Sequence, residues 1–228
     1  MANPVRFTSG VATASPGTFF ANYPYPDPFH TGNVHKYEND FNTLIGTDFT
    51  VTGTSSTFAI GNGNGGVAVL TPGGTTTASS AYKNGTSFQF TAGQPFWFGA
   101  RFQVSALAGT EYVGLQAGSS ANDGLWFAVD ATGVVSLYSV VGSTGTTLVT
   151  SVTTATAATY VDVGFYYDGT DLLVFVADQL VARVSSPTIG SSATTLTNAL
   201  LTPVVQITPT ATQTVTVDYV VAASGIVR

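Results

Sequence analysis

The sequence predicts an all-β protein, an antiparallel jelly-roll β-sandwich preceded by an extended N-terminal arm. From about residue 47 onward apolar and polar residues alternate with a period of two, which is typical of half-buried strands. Valine and threonine, which favour strands, are abundant, whereas glutamate and lysine occur only at Glu38, Glu111, Lys36 and Lys83. Turn-forming residues separate the alternating runs about every 8–12 residues, a spacing typical of sandwiches.

Residues 1–46 differ in composition from residues 47–228, and this difference predicts an arm and a sandwich domain. The stretch Tyr23-Pro24-Tyr25-Pro26-Asp27-Pro28 has proline at alternate positions, which disfavours both a helix and a central strand. The arm is nevertheless rich in aromatic residues, as expected of a segment that lies along an apolar surface. That surface could belong to the same domain, to a sister subunit or to another protein. The predicted anchors are Phe7, Phe19, Phe20, Tyr23, Tyr25 and Phe29.

The clearest predicted strand covers residues 96–104, in which side chains alternate between two faces. The face expected to point into the core carries Phe96, Phe98, Ala100, Phe102 and Val104. Further along, Asp168-Gly169-Thr170-Asp171 lies between two apolar runs, and Asp-Gly in that setting predicts a β-hairpin. Asp178-Gln179 is expected to separate the second of these runs from the next strand.

Both tryptophans fall on strand faces opposite to the predicted core. Trp97 lies between inward phenylalanines, and Trp126 lies between Leu125 and Phe127, so regular strands would turn both indoles outward. In a chain with so few charges, an outward tryptophan favours either a subunit interface or a platform on which a glycan stacks. Packing in the core of an irregular strand is an equally open interpretation.

The composition argues against several classes of partner. Only 8% of the residues are charged and the net charge is −6, so the cationic surface that nucleic-acid binding requires is missing. No apolar run reaches the ~18 residues of a membrane-spanning helix, and we expect no membrane partner. The chain has no cysteine, which excludes disulfides and thiolate metal sites. A surface rich in threonine and serine suits contact with other proteins.

Six stretches of the predicted sandwich, taken in order, carry a resemblance to a known family. They are Phe96-Trp97-Phe98-Gly99-Ala100-Arg101-Phe102-Gln103-Val104, Tyr112-Val113-Gly114-Leu115, Gly124-Leu125-Trp126-Phe127, Val163-Gly164-Phe165-Tyr166-Tyr167-Asp168-Gly169, Leu201-Thr202-Pro203-Val204-Val205 and Thr216-Val217-Asp218-Tyr219-Val220. They resemble the concanavalin A-like (laminin-G-like) jelly roll of bacteriophage virion proteins. Pro4-Val5-Arg6-Phe7 and Asn22-Tyr23-Pro24-Tyr25-Pro26-Asp27-Pro28 resemble the arms that precede such domains in tailed-phage head proteins. The resemblance implies capsid decoration (cement) or another structural role in the virion.

This fold family includes glucanases, which place Glu-x-Asp-x-Glu along one strand, and no stretch of the chain has that pattern. A retaining glycosidase needs two carboxylates ~5–5.5 Å apart. The nearest acidic pairs considered are Asp168 with Asp171, which a hairpin turn explains better, and Glu38 with Asp40, which lie in the arm. We therefore expect no catalytic residue and no enzyme activity.

Metal and cofactor sites are not expected either. His30 and His35 are the only histidines, and the arm that carries them has no helical pattern to make them converge. A calcium site would need several loop oxygens that meet at one end of the sandwich. The candidates are Asn122, Asp123, Asp130, Asp168 and Asp171. Aspartate beside glycine is also what turns alone produce, and we favour that interpretation.

Together these observations predict a phage virion protein that decorates the capsid surface as a cement protein. Its partners would be the major capsid protein and other copies of itself, with a homotrimer as the simplest arrangement, because closed symmetry multiplies the contacts of each arm. Clamping neighbouring capsid proteins would stabilise the head against the pressure of packaged DNA. The alternative function is a lectin-like carbohydrate-binding module that recognises host-surface glycans from the virion.

Overall fold

Two large β-sheets, packed face to face, make up most of the described structure. The computed structural model describes residues 34–62, 66–192 and 194–225. The strands are β1 (Val34–Asn39), β2 (Phe49–Thr52), β3 (Thr57–Ile60), β4 (Ala68–Thr71), β5 (Ser79–Lys83), β6 (Phe96–Val104), β7 (Gly109–Ala117), β8 (Ser120–Val129), β9 (Val134–Val141), β10 (Thr144–Thr154), β11 (Val161–Tyr167), β12 (Leu172–Val176), β13 (Gln179–Val184), β14 (Ile189–Gly190), β15 (Leu196–Thr197), β16 (Thr202–Pro209) and β17 (Val215–Gly225).

The two layers are an eight-stranded and a seven-stranded antiparallel sheet. The first has the order β13-β12-β11-β6-β17-β4-β3, with β1 paired to β17, and the second has the order β10-β9-β8-β7-β16-β5-β2. A short parallel pair, β14 with β15, lies outside both sheets. The predicted all-β, antiparallel sandwich is confirmed. No helix among the described residues is long and apolar enough to cross a membrane.

The first described strand attaches the start of the described chain to the eight-stranded sheet. Residues 34–39, which the sequence analysis grouped with the arm, form β1 and pair with β17, from Val34 opposite Gly225 to Asn39 opposite Val220. No proline occurs between residues 29 and 71, so every residue of β1 has an N–H that can donate to its neighbour. The chain therefore enters the sandwich beside β17.

Aromatic side chains from both sheets fill the space between the layers. Phe98 and Phe165 are cross-strand partners in the eight-stranded sheet, and their ring centroids lie 5.3 Å apart. The ring centroid of Phe127, in the seven-stranded sheet, lies 6.3 Å from that of Phe165, so the three rings connect the two layers. Burying each phenylalanine contributes roughly 1.5–3 kcal/mol relative to leaving it exposed. The inward face predicted for residues 96–104 is confirmed, since its five side chains are at most 1% exposed.

The predicted hairpins are present, one of them shifted along the chain. Gly169 joins β11 to β12 with φ of 99°, a left-handed conformation that glycine adopts without strain. In the next hairpin the two loop residues are Ala177 and Asp178, with φ of 46° and 64°. That pair of left-handed residues is characteristic of a tight type I′ turn. The turn thus begins one residue before the predicted Asp178-Gln179, because Gln179 already belongs to β13.

Glu111 is fully buried near the start of β7 and is bonded to Gln213. Gln213 Nε2 donates to Glu111 Oε1, whereas Glu111 Oε2 and Gln213 Oε1 are buried with no hydrogen-bond partner among the described residues. Burial raises the pKa of Glu111 from 4.5 to about 7, against the opposing effect of the Gln213 hydrogen bond. A proton on Oε2 would allow Glu111 to donate to Gln213 Oε1, so one protonation can satisfy both unpaired oxygens.

We expect the free energy of unfolding to fall as pH rises from about 4.5 to about 7, and the Glu111 contribution to level off above that range. Across this interval the native carboxyl holds a proton that the unfolded chain releases, so lower pH favours the native state. Glu111→Gln should remove this part of the pH dependence, because an amide can donate to Gln213 and accept from it without titrating. Urea unfolding of both proteins at several pH values measures the difference.

The other titratable groups change the free energy of unfolding of both proteins equally, so their contribution cancels in the difference between the two. Two pH profiles that run parallel across the interval would show that Glu111 does not carry the dependence.

Candidate functional site

Three aromatic side chains lie next to one another on the outer face of the seven-stranded sheet. Tyr112 of β7, Trp126 of β8 and Tyr138 of β9 come from neighbouring strands, and Trp126 and Tyr138 are cross-strand partners. Their sequence neighbours Val113 and Phe127 point into the core, so the alternation along each strand turns the three rings outward. We call Tyr112, Trp126 and Tyr138 the aromatic patch.

Within the aromatic patch the two tyrosines provide the accessible surface. The Tyr112 and Trp126 rings meet edge to face at a centroid distance of 6.0 Å, and the Trp126 and Tyr138 rings are nearly parallel at 6.4 Å. Val140 and Val204 pack in the same cluster, and Trp126 is only 3% exposed. Tyr112 and Tyr138 are half-buried. A ligand would therefore contact the phenol rings first, with the indole supporting them.

Two glycines make room for the rings of the patch. Gly124 lies two residues before Trp126 on the same face, and a Cβ there would come within 2.7 Å of Trp126 Cη2 and 2.5 Å of the Leu115 carbonyl oxygen. The indole thus lies along its own strand, over a position without a side chain. A Cβ at Gly145 would likewise collide with the hydroxyl of Tyr138. The geometry of the aromatic patch therefore depends on these two glycines as well as on the aromatic residues.

Two shallow cavities adjoin the patch and share Ala121 and Gln206. The first has a volume of about 200 Å³ and is lined by the aromatic patch with Ala121, Val140 and Gln206. The second has a volume of about 150 Å³ and continues across β16 and β5, where polar side chains line it, among them Thr52, Ser80 and Gln116. We call the second cavity the polar groove. Within it, Gln206 Nε2 donates to Gln116 Oε1, and the hydroxyls of Thr52 and Ser80 lie 2.7 Å apart.

The patch and the groove are electrically neutral, because none of their lining residues is charged. Burial raises the pKa of Tyr112, and the nearby Tyr138 and Glu111 raise it further, so its phenol stays protonated and can donate or accept a hydrogen bond. Aromatic faces beside hydroxyl and amide groups are suited to an uncharged ligand that carries both C–H and O–H groups. An anionic ligand would find no cation among the lining residues.

Trp97 lies on the opposite side of the sandwich, on the outer face of the eight-stranded sheet. Its ring stacks on Tyr166 at a centroid distance of 5.0 Å, and the indole is 5% exposed. Both tryptophans thus turn away from the main core, yet neither presents an open indole face. Whether either residue takes part in a subunit interface or in glycan binding remains a prediction.

The six predicted arm anchors lie outside the described residues: Phe7, Phe19, Phe20, Tyr23, Tyr25 and Phe29. The predicted contacts with a major capsid protein and with other copies of the chain also remain predictions, as does the capsid location.

The Asp168 and Asp171 carboxylates organise the hairpin between β11 and β12. Asp168 Oδ1 accepts hydrogen bonds of 2.7 Å from the backbone N–H groups of Thr170 and Asp171. Asp171 accepts from the Ser186 N–H and forms an ion pair with Arg183. The Ser186 hydrogen bond and then the Arg183 interaction lower the pKa of Asp171. Both side chains serve turn geometry, which is the interpretation that the sequence favoured.

The other sequence candidates are also held by local contacts. Glu38 pairs with Lys36, and His35 packs against Phe88 at a ring distance of 4.7 Å. Asp123 accepts from the Thr197 hydroxyl at 2.6 Å, and Asp130 accepts from the backbone N–H groups that follow it. Among the described residues no group of three or more His, Asp and Glu side chains could hold a metal ion.

Comparison with known proteins places the chain by its fold. No protein-family model and no curated protein matches the sequence. An endo-1,3-β-glucanase from Streptomyces sioyaensis is 12% identical, and the match covers 84% of this chain and 96% of that one at a TM-score of 0.59. The carbohydrate recognition domain of Emp47p is 11% identical, with coverage of 86% and 99% and a TM-score of 0.57.

A carbohydrate esterase from the Shiga toxin-encoding bacteriophage phi24B also shares the fold. It is 13% identical, and the match covers 78% of this chain and 90% of that one at a TM-score of 0.52. The described chain is accordingly a concanavalin A-like jelly roll, as the resemblance in the sequence indicated.

The prediction that the chain is not an enzyme is contradicted by these comparisons and is withdrawn. Several of the similar structures are glycosidic hydrolases or glucanases, and they share the fold over nearly their whole length. The prediction relied on the absence of one motif and on the two nearest acidic pairs along the chain. Catalytic groups on a sandwich can come from separate strands, so a motif on one strand is too narrow a criterion.

Trp126 was a candidate site residue from the sequence, whereas the tyrosines beside it were not predicted. Tyr112 and Tyr138 have the same outward position in alternating runs, which is the signal that could have found them. Tyr82 of β5 packs against the same cluster as these two tyrosines. The signal applies equally to Tyr166, which lies on the other sheet, so alternation alone does not select the residues around Trp126. Selection requires the strand order β9-β8-β7 of the folded sheet.

We expect Gly124→Ala to destabilise the protein by about 1–3 kcal/mol, because the new Cβ would overlap both the Trp126 ring and the Leu115 carbonyl oxygen. The backbone carbonyl cannot move aside as a flexible side chain can. Trp126 fluorescence should change as well, since the indole must leave its place. Urea unfolding and an emission spectrum in a Trp97→Phe background measure both effects.

Gly46→Ala is the matched control, because a Cβ at Gly46 would have no atom within 4 Å. We expect its stability to stay within about 0.5 kcal/mol of the wild type. Equal effects of the two substitutions would argue against the crowding described for Gly124.

Proposed function

We propose that the chain is a carbohydrate-binding module that binds neutral glycans on the outer face of its seven-stranded sheet. The observation that carries this proposal is the aromatic patch, which opens directly onto the uncharged polar groove through Ala121 and Gln206. Sugar rings have apolar C–H faces that pack on aromatic rings, and their hydroxyls need donors and acceptors at the edges. The aromatic patch supplies the rings, and the polar groove supplies the hydrogen-bond donors and acceptors.

The arrangement suggests how a glycan would be shared between the two cavities. A sugar ring over Tyr112 and Tyr138 would have the amide of Gln206 at its edge, because Gln206 lines both cavities and is the cross-strand partner of Tyr112. The next sugar would lie over the groove and exchange hydrogen bonds with Ser80 and Thr52. The ligand class is therefore a neutral oligosaccharide of at least two sugar units.

The similar structures also support a carbohydrate ligand. One is a carbohydrate recognition domain, and others are glucanases and a phage carbohydrate esterase. All of these proteins are named for carbohydrate, and at an identity of at most 13% their likeness to this chain extends to the fold only. A phage virion that attaches to host-surface glycans is the setting we propose for such a module, following the resemblance seen in the sequence.

We expect Tyr112→Ala and Tyr138→Ala each to weaken glycan binding about tenfold, which corresponds to about 1.4 kcal/mol. Each substitution removes a ring on which a sugar packs while leaving the inward core residues in place. The ligand is found on an array of neutral and charged glycans, and the affinities are then measured by titration calorimetry on the best neutral ligand.

Tyr160→Ala is the matched control, since Tyr160 lies near Arg101 on the other sheet. It should bind the glycan as tightly as the wild type. A full array without any bound neutral glycan, or equal losses in all three variants, would refute the proposed site.

A further inference from the structure

Gln206 lies at the centre of the proposed glycan site. On the outer face of the seven-stranded sheet, Tyr112 is the cross-strand partner of Gln206, and Gln206 is in turn the partner of Ser80. Ser80 is the partner of Thr52, so these side chains form one row across β7, β16, β5 and β2. Because neighbouring strands lie ~4.8 Å apart, the row leads directly from the aromatic patch into the polar groove. A ligand that occupies both cavities must therefore cross the side chain of Gln206.

A second glutamine, Gln116 of β7, has an amide whose direction the backbone determines. Gln116 is on the same outward face as Tyr112, yet it is only 1% exposed. Its Nε2 donates to the backbone carbonyl oxygen of Gly118 at 2.9 Å. A carbonyl oxygen can only accept a hydrogen bond, so the nitrogen of the Gln116 amide has to face Gly118. The other side of this buried amide, Oε1, is therefore an acceptor.

The direction of the Gln116 amide determines that of Gln206. Gln206 Nε2 donates to Gln116 Oε1. If the Gln206 amide were turned over, its own oxygen would lie against Gln116 Oε1, and two acceptors would face each other. Gln206 is half-buried, and no donor within residues 34–62, 66–192 and 194–225 bonds to its Oε1. This oxygen is the acceptor that the side chain offers to a ligand.

The hydroxyl groups in the same row are not fixed in this way. The hydroxyls of Thr52 and Ser80 lie 2.7 Å apart, and either of them could be the donor. A hydroxyl can rotate to donate or to accept, so both can adapt to a ligand group of either kind. The oxygen of Gln206 cannot adapt, because the Gln116 amide holds it. A ligand group that meets Gln206 Oε1 has to be a donor.

We propose that Gln116 is a positioning residue that holds Gln206 Oε1 towards the ligand, so that the site selects glycans with a free hydroxyl group at this point. The selection rests on the glycan-binding function proposed for this face. A hydroxyl donates to Gln206 Oε1, whereas an O-acetyl or O-methyl group has no hydrogen to donate and brings its own oxygen against that acceptor. The ligand class is thereby narrowed to neutral oligosaccharides without a substituent on the hydroxyl that meets Gln206.

The test compares hydroxyl with fluorine on the sugar, because fluorine is close to a hydroxyl in size and cannot donate. The probes are the tightest-binding neutral oligosaccharide from the glycan array and derivatives in which one hydroxyl at a time is replaced by fluorine. For the wild type, we expect a position at which fluorine weakens binding about tenfold or more. Gln206→Met removes the acceptor, so fluorine at that position should weaken binding no more than about twofold in this variant.

Gln116→Met tests the positioning role, because it leaves Gln206 in place and removes the acceptor that holds its amide. The Gln206 amide can then turn over and offer its nitrogen instead of its oxygen. The preference for hydroxyl over fluorine should fall from about tenfold to about threefold or less. A loss of stability alone would weaken the binding of both probes equally and would leave this ratio unchanged.

Thr52→Val is the matched control within the groove. It removes a hydroxyl that can rotate and leaves the Gln116–Gln206 pair intact. The preference for hydroxyl over fluorine at the position identified with Gln206→Met should stay at its wild-type value.

A measurement without ligand covers the case in which Gln116→Met alters the site more widely. In the free wild-type protein the hydrogen bond to Gln116 should slow exchange of the Gln206 side-chain N–H with solvent. In Gln116→Met this exchange, followed by NMR, should be about tenfold faster. Equal exchange in the two proteins would overturn the positioning role.

The outcomes separate a failure of the selectivity from a failure of the glycan site. A glycan that binds and depends on Tyr112, with the same hydroxyl preference in the wild type, Gln206→Met and Gln116→Met, would leave the glycan site in place and overturn the selectivity. An array without any bound neutral glycan would refute the glycan site and the selectivity with it.

Discussion

The stack of Phe98, Phe165 and Phe127 between the two sheets is the contact on which the rest of the structure depends. Side chains in a strand alternate, so a slip of one residue in β6 would turn Phe98 outward and bring Trp97 and Arg101 into the core. An arginine in that apolar space would have no partner for its charge, which makes the slipped register costly. The demand for large rings inside therefore also determines which residues face outward, and the proposed glycan-binding face is a consequence of the core.

Glycines shape both outer faces. Gly124 allows the indole of Trp126 to lie along its own strand, and Gly145 leaves space for the hydroxyl of Tyr138. On the other sheet, the opposed pair of Gly99 and Gly164 leaves a trough beside a buried aromatic cluster. Glycine in a strand interior usually weakens the strand, because it adds no packing and has more freedom to lose. At these positions the missing side chain instead makes room for a ring or leaves a small cavity.

The small number of carboxylates has a further consequence for the site. Asp130, Asp168 and Asp171 accept backbone hydrogen bonds in turns, and Glu111 is paired with Gln213 inside the sandwich. The aromatic patch and the polar groove are left without charge, so they rely on shape and short-range hydrogen bonds. A glucanase, an esterase and a carbohydrate recognition domain share this fold, so the fold alone does not distinguish one function from another.

From the sequence alone, local patterns predicted the all-β class, the inward face of residues 96–104, the Asp168-Gly169 hairpin and the outward direction of both tryptophans. Each depends on alternation or turn chemistry within a few residues, which the chain encodes locally. Only the tertiary structure placed Tyr112 and Tyr138 beside Trp126, because this depends on the register in which β7, β8 and β9 pair. It also placed Gln206 beside Tyr112, because β7 pairs with β16, which lies far along the chain. It also decided that both outward tryptophans are buried, since burial depends on what packs over a face, and alternation within one strand carries no information about that.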